Sequence, residues 1–204
     1  MSPLDTLGFA LGTSFASGLN LYATVSAVGL FERFGIINLP EPLHVLAHPV
    51  VLGLAVALFV IEFIADKIPY VDSMWDAVHT FIRPPAAALL SYSAFAGGVP
   101  EQWKIAAALL AGSIALTSHG AKATTRAATN ASPEPFSNWA LSLGEDALAV
   151  SLSWLAAVHP IITAGVVVVL VILAVLIMWR LFRFFRQVVR RIGGVGGTAA
   201  APSP

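Results

Sequence analysis

The chain has 204 residues, of which 57% are hydrophobic and only 11% are charged. A soluble domain could not cover so much apolar surface. A spanning helix needs about 20 mostly apolar residues, and several segments reach or approach that length. The composition therefore predicts an all-α, polytopic helix bundle in a membrane. The net charge of zero gives no reason to expect a nucleic-acid partner. The lack of cysteine excludes disulfides, thiolate metal sites and thiol catalysis.

The first predicted helix covers residues 5–31. Because the N-terminus carries Asp5 and no basic segment, we expect a spanning helix there and not a cleaved signal peptide. Its middle contains small and polar residues where lipid-facing leucines would be expected, namely Gly8, Gly12, Ser14, Ser17, Gly18 and Asn20. These residues indicate either close helix packing or a polar lining, with the helix unwound near Gly18-Leu19-Asn20.

A second helix is predicted over residues 48–66, and the third meets Pro84-Pro85 after three turns. Two consecutive prolines remove two backbone donors and disfavour helix before them, so we expect this helix to break or kink there. Two versions are open. Residues 72–97 form one kinked span, or 72–83 lie at the membrane interface while 85–97 dip into the membrane.

Three more helices are predicted over residues 102–130, 137–158 and 161–179. The last is uniformly apolar, as expected of a lipid-facing span, and arginines interleaved with phenylalanines follow it, a pattern typical of a membrane-surface anchor. The sequence thus predicts one transmembrane domain over residues 1–191. Residues 192–204 are rich in glycine, alanine and proline, which predicts a disordered tail.

Six spans would place both termini in the cytoplasm. The positive-inside rule favours this orientation, because only Arg33 and Lys104 would then lie outside. The other nine of the eleven basic residues would be cytoplasmic: Lys67, Arg83, Lys122, Arg126, Arg180, Arg183, Arg186, Arg190 and Arg191. Six spans also divide into two units of three, which predicts an inverted three-helix repeat. Gly12-Thr13-Ser14 and Gly112-Ser113 are weak echoes between the two units.

Most of the ionisable residues fall into a few stripes. On helical spacing, residues 72, 76, 79 and 83 share one face, and residues 119, 122 and 126 form a basic face on the fourth helix. Charges at membrane depth are expensive and usually face a bundle interior, a partner or water. Asn20 lies deep in the first helix and needs partners inside the bundle. The candidate polar network is therefore Asn20, Glu62, Asp66, Asp72, Asp76, His79, Arg83, His119, Lys122, Arg126, Glu145 and Asp146.

Three blocks of sequence resemble a known family. IEFIADKIPYVDSMWDAVHTFIRPPAAALL, HGAKATTRAATNASPEPFSN and SLGEDALA are similar to the bacterial membrane proteins grouped as domain of unknown function 4126, and the resemblance covers residues 5 to 180. It implies a bacterial cytoplasmic (inner) membrane protein. The family has no established reaction, so it implies only that most of the candidate charges lie in its characteristic blocks, along with Lys67, Asn130 and Pro133.

Three functions compete. A small transporter or lipid-translocating protein would use the basic residues to bind an anionic small molecule or lipid head group. A metal-dependent intramembrane enzyme on a phosphorylated lipid would use the carboxylates as ligands of Mg²⁺ or a similar ion. A scaffold or assembly protein would use the charges as interfacial salt bridges. The sequence favours the transporter and a non-enzymatic role without a cofactor. Charges more than about two turns inside the membrane would favour transport or chemistry over the scaffold.

Overall fold

The computed structural model describes residues 1–95, 99–130 and 135–195. Its helices are α1 (Pro3–Leu19), α2 (Leu21–Arg33), α3 (Pro49–Ala65), α4 (Pro69–Ala94), α5 (Glu101–Asn130), α6 (Pro135–Val158) and α7 (Pro160–Val195). A 3₁₀ helix, Glu41–Ala47, joins α2 to α3. The described residues contain no strand, so the predicted all-α helix bundle is confirmed.

Helix α1 is the centre of the bundle. Twelve of its 17 residues are buried, and it packs against α2, α4, α5, α6 and α7. A Cβ atom at Gly8 would overlap the carbonyl of Pro160, and one at Gly12 would overlap the side chains of Ala156 and Thr163. Glycine therefore allows the first residues of α7 and the end of α6 to approach α1. Close packing, one of the two predicted uses of these small residues, is present in this half of the helix.

The first predicted helix is two helices, because Asn20 interrupts it. Asn20 has an extended backbone (φ −149°, ψ 105°) and is both the C-cap of α1 and the N-cap of α2. Its side-chain oxygen accepts a hydrogen bond from the Ala23 amide at 2.8 Å. This side-chain cap stabilises the start of α2. The predicted alternative of an unwound segment is thus present at one residue.

Helix α4 runs through Pro84-Pro85 without interruption. The predicted break in the helix is corrected, because α4 is continuous from Pro69 to Ala94. This agrees with the predicted version in which one span covers this segment, and separate interfacial and re-entrant segments are not present. Two prolines remove only two donors, and membrane helices accept them where neighbouring helices support the backbone. Here Gly112 of α5 packs against the carbonyl of Pro84, and a Cβ at Gly112 would lie 3.2 Å from that oxygen.

Helix α7 continues beyond the apolar segment to Val195. It therefore includes the arginine-rich residues, and Arg180, Arg183 and Arg186 are exposed along it. The predicted tail begins inside this helix, at residue 192, and its remainder, residues 196–204, lies outside the described residues.

Two helices are long and apolar enough to cross a membrane, at Phe136–Val158 and Pro160–Arg190. The 3₁₀ helix and α3, which are bent by 61° relative to each other, would add a third if they formed one broken span. These assignments rest on length and composition, and they cover the described part of the chain. They indicate a membrane protein.

Candidate functional site

The candidate polar residues meet in one place, where α3 and α5 end and α4 and α6 begin. We call this set the buried charge network. It contains six carboxyl groups and three cations: Glu62, Asp66, Asp72, Asp76, Glu145, Asp146, Arg83, Lys122 and Arg126. Each is buried by residue exposure except Glu145, whose side chain is 12% exposed. Ionised groups removed from water to this degree need partners, so the pairing of the three cations decides what the network can do.

Arg83 connects the network to the helix break. Its Nη2 lies 2.6 Å from Glu62 Oε1 and 3.7 Å from Asp76 Oδ1. Its Nη1 donates to the Gly18 carbonyl at 2.9 Å and to His119 Nδ1 at 2.7 Å. Arg83 follows the first residue of α4 by 14 positions, which is about 21 Å along the helix axis, or almost four turns. Arg83 therefore lies in the interior of the bundle, well away from the start of its helix.

Lys122 binds the neighbouring carbonyl at the end of α1. Its ammonium donates to the Leu19 carbonyl at 3.1 Å and to Asp66 Oδ2 at 3.0 Å, and it lies 3.4 Å from Glu62 Oε1. In a continuous helix the Leu19 carbonyl would accept from the Ala23 amide. The Asn20 side chain takes that amide instead, which leaves the carbonyl free for Lys122.

Arg126, like Lys122, has three acidic neighbours. It donates from Nη2 to Glu145 Oε2 at 2.7 Å and to Asp66 Oδ2 at 3.1 Å, and its Nη1 lies 3.7 Å from Asp72 Oδ1. Its Nη1 also donates to Asn138 Oδ1 at 2.9 Å. Arg126 therefore joins α3, α4 and α6, which is the role that a planar guanidinium with five donors suits best.

Hydrogen-bond roles make His119 neutral. Its Nδ1 accepts from Arg83, so that nitrogen carries no proton. The proton is then on Nε2, which lies 3.0 Å from the Asp76 carbonyl and 2.9 Å from Thr80 Oγ1. A neutral His119 adds no positive charge to the network.

Two smaller contacts extend the network toward α2 and α6. Asn20 Nδ2 donates to Asp146 Oδ1 at 2.8 Å, so the residue that breaks the helix is tied to α6. His79 stacks on Trp75, with the ring centroids 4.6 Å apart, and its Nε2 lies 3.1 Å from the Tyr22 hydroxyl. Both contacts hold the first turn of α2 against the charged helices.

Lys67 lies in the linker between α3 and α4. Burial lowers the pKa of its ammonium, which sits 3.0 Å above the centre of the Phe63 ring and donates to the Phe63 carbonyl at 2.8 Å. Lys67 thus caps the end of α3, where a cation interacts favourably with free carbonyls.

All twelve predicted residues lie in or beside the network, and the predicted pairing of Glu62 or Asp66 with a cation on another helix is present. Sequence reasoning missed Asn138, Tyr22 and Thr80, which contact members of the set. Asn138 could have been found, because it precedes Glu145 by seven positions and shares its helix face. Tyr22 and Thr80 carry no such pattern.

A metal site was one predicted use of the carboxylates. Within residues 1–95, 99–130 and 135–195, no group of three or more histidine, aspartate or glutamate side chains is arranged to hold a metal ion. The geometry therefore lends the metal-dependent hypothesis no support.

Comparison with protein families gives one match. The family described as Domain of unknown function (DUF4126) matches residues 7–180, which is most of the chain. The chain belongs to this family. No curated protein and no solved structure matches it. The DUF4126 match includes the helix break and all members of the buried charge network, whereas the last residues of α7 fall outside it.

Proposed function

We propose that this DUF4126 protein is a small membrane transporter whose site is the helix break at Asn20 together with the buried charge network. The observation that carries the proposal is that buried cations bind the backbone carbonyls left free where the helix is interrupted. The carbonyls of Gly18 and Leu19, next to the break, are bound by Arg83 and Lys122. Transporters commonly build their sites from such discontinuous helices at the middle of the bundle.

The proposal includes six spans in a bacterial cytoplasmic membrane, with α1 and α2 forming one broken span. Charge lowers the hydropathy of α4 and α5, but apart from Glu101 and Lys104 at the start of α5 their charged residues are buried, and large apolar side chains point outward. Phe81, Leu89, Leu109 and Leu116 are examples of exposed apolar residues on these two helices. An apolar outer face around a polar interior supports spans that composition alone does not identify.

The orientation has a direct test. Because the chain has no cysteine, single cysteines can be introduced without further change. With both termini cytoplasmic, a membrane-impermeant maleimide added outside should label Asn38→Cys and Gln102→Cys and should not label Ala200→Cys. External labelling of Ala200→Cys would overturn the orientation. The inverted three-helix repeat belongs to the same proposal, and the contact of α1 with α5, the first helix of each unit, supports it.

The transported species is constrained by charge. Binding of an anionic small molecule or lipid head group stays a prediction. To bind, it would have to displace a carboxylate, because Arg83, Lys122 and Arg126 each contact at least one. Six carboxyl groups against three cations favour a positively charged species or a proton at this site.

The scaffold hypothesis has one observation in its favour. Glu62 and Lys122 are in direct contact at 3.4 Å, and both side chains are fully buried. A closed network of this kind would also suit a structural role. The two functions differ in what happens at the break over time, since a transporter must open it to each side of the membrane and a scaffold must not.

Reactivity at Ser17 separates these hypotheses. Ser17 is fully buried next to the break, and its Oγ has no hydrogen-bond partner among the described residues. We expect Ser17→Cys to react with a membrane-impermeant maleimide from either side, in right-side-out and inside-out vesicles. Ser153→Cys is the matched control, a fully buried serine of α6 that bonds only within its own helix. It should stay unlabelled. Labelling of Ser17→Cys from one side only, or from neither, would contradict transport.

A further inference from the structure

Asp76 differs from the other carboxyl groups of the network. Glu62, Asp66 and Glu145 each accept hydrogen bonds from cations, and Asp72 and Asp146 each accept one from an asparagine amide. Neither oxygen of Asp76 accepts a hydrogen bond from any residue in the described part of the chain, although the residue is only 4% exposed. The nearest cationic atom is Arg83 Nη2, at 3.7 Å. Among the described residues, Asp76 is thus the carboxyl group of the network with no hydrogen-bond donor.

Asp76 also borders a route to the surface. A crevice of about 230 Å³ lies between α4 and α5 and is lined by Asp76, Thr80, Ala123, Arg126 and Ala127 among others. Ala127 is exposed, while Asp76 and Arg126 are buried. The crevice is large enough to admit water, and it brings the outer surface up to Asp76, whose two carboxyl oxygens lie buried behind it and lack hydrogen-bond partners among the described residues.

The network has more carboxyl groups than cations, even when Lys67, which interacts with Asp66 and Asp146 from the linker after α3, is added to its three cations. With six carboxyl groups, three cations and a neutral His119, full ionisation would leave more negative than positive charge in a buried volume. Such an imbalance is expensive, and neutralisation by a proton is the usual response. The titratable and charged groups around Asp76 are Asp72 and Arg83 on its own helix, His119, Lys122 and Arg126 on α5, and Asp66 after α3.

We propose that Asp76 carries an exchangeable proton, which enters and leaves through the crevice between α4 and α5. The inference rests on the proposed transport function and identifies the proton as the coupling ion. On release, the O–H bond of the Asp76 carboxyl group breaks, water in the crevice takes the proton, and the carboxylate stays.

The proton would control the break through Arg83. A neutral Asp76 leaves Arg83 bound to Glu62 and to the Gly18 carbonyl, as in the present structure. An ionised Asp76 competes for the same guanidinium from 3.7 Å away. Movement of Arg83 toward Asp76 frees the Gly18 carbonyl and so loosens the end of α1, where the helix is already interrupted.

Infrared difference spectroscopy tests the proton directly. The full chain is reconstituted in lipid nanodiscs and compared between about pH 4.5 and about pH 8.5, a range that brackets carboxyl and histidine titration. We expect a protonated-carboxyl band that appears at the lower pH, is lost in Asp76→Asn and persists in Glu41→Gln. Glu41 is the control because its carboxyl group is exposed and lies on the 3₁₀ helix, outside the network.

Two further variants keep the test decisive if Asp76→Asn does not fold. Asp76→Glu keeps the acid and should keep the band at a changed frequency. Ala127→Trp should fill the crevice and slow the appearance of the band after a pH jump, whereas Ala106→Trp, at an exposed position of α5 outside the crevice, should not.

The absence of any pH-dependent carboxyl band, its persistence in Asp76→Asn, or a response to Na⁺ at fixed pH in place of the pH response would overturn the proton site. This measurement needs no transport. A band assigned to Asp76 with no two-sided labelling of Ser17→Cys would retain the proton site and reject the transporter. Two-sided labelling with no such band would retain the transporter and reject the proton site.

Discussion

The two ends of helix α1 are stabilised in different ways. The first half packs through Gly8 and Gly12 against α6 and α7, with apolar groups and backbone in contact. The second half ends at Asn20, where the free carbonyls of Gly18 and Leu19 bind cations from α4 and α5. Shape complementarity specifies one arrangement. A charge network can exchange partners, because each cation has more than one acid within reach. The second half is also closely packed, because a Cβ at Gly18 would overlap Ser118 and the Ala115 carbonyl of α5. The two halves therefore differ in the charged groups that bind the second half, and not in how closely they pack.

The largest effect is expected from Lys122→Met. Methionine is unbranched and only one atom shorter than lysine, but it leaves Asp66, Glu62 and the Leu19 carbonyl without their cation. Breaking a buried ion pair in this way should lower the free energy of unfolding by about 3–5 kcal/mol, measured by denaturant unfolding in detergent micelles.

Lys104→Met is the matched control for this variant. Lys104 lies near the start of α5, far from the network along the helix, and its nearest carboxylate is Glu101 at 3.9 Å. The change should cost less than about 1 kcal/mol, as for a peripheral ion pair. Equal losses for the two lysine variants would mean that the network adds no more to stability than a peripheral pair.

Asn20→Ala should have the next largest effect. It removes the cap on the Ala23 amide and leaves Asp146 Oδ1 without a donor. The two losses together should cost about 2–4 kcal/mol in the same unfolding measurement. Asn38→Ala, at an exposed position in the loop after α2, should have little effect. If α1 and α2 became one continuous and more stable helix in Asn20→Ala, the break would not depend on this side chain.

The sequence predicted the helices and the polar residues well, because both follow from periodicity and from the cost of charge in a membrane. It left open whether Asn20 interrupts the helix. The answer depends on Asp146, which is 126 positions away in the chain and holds the asparagine in its capping position. Local sequence contains no information about that contact.

At Pro84-Pro85 the local rule left two versions open, and the structure has the single span without a break. The prediction of a break considered only the missing donors, whereas α5 packs closely against α4 here, with Gly112 next to the Pro84 carbonyl. The signs of the charges similarly indicated that acids and cations would pair. Which acid meets which cation depends on how the helices are rotated about their axes, and no single helix determines that rotation.

Gly8→Ala tests the first half of α1. The added Cβ would overlap the backbone carbonyl of Pro160, which cannot move aside as a side chain could. Overpacking should cost about 1–3 kcal/mol. Gly165→Ala is the control, because it lies in helix α7 with open space around it, and alanine there should be neutral or stabilising by up to about 1 kcal/mol. A neutral Gly8→Ala variant would show that this half has room to rearrange.

The smallest effect on stability is expected from Tyr22→Phe, which removes only the hydroxyl that lies 3.1 Å from His79 Nε2. One lost hydrogen bond should cost about 1 kcal/mol. Tyr70→Phe, at a residue that is 88% exposed, should cost nothing measurable. Tyr22 lies two residues after the break, so its bond to α4 restrains the part of the molecule that we propose to open. Tyr22→Phe should therefore speed the maleimide reaction of Ser17→Cys while leaving Ser153→Cys unreactive. An unchanged rate at Ser17, with the expected loss of stability, would mean that opening occurs on the α1 side of the break and leaves the first turn of α2 in place.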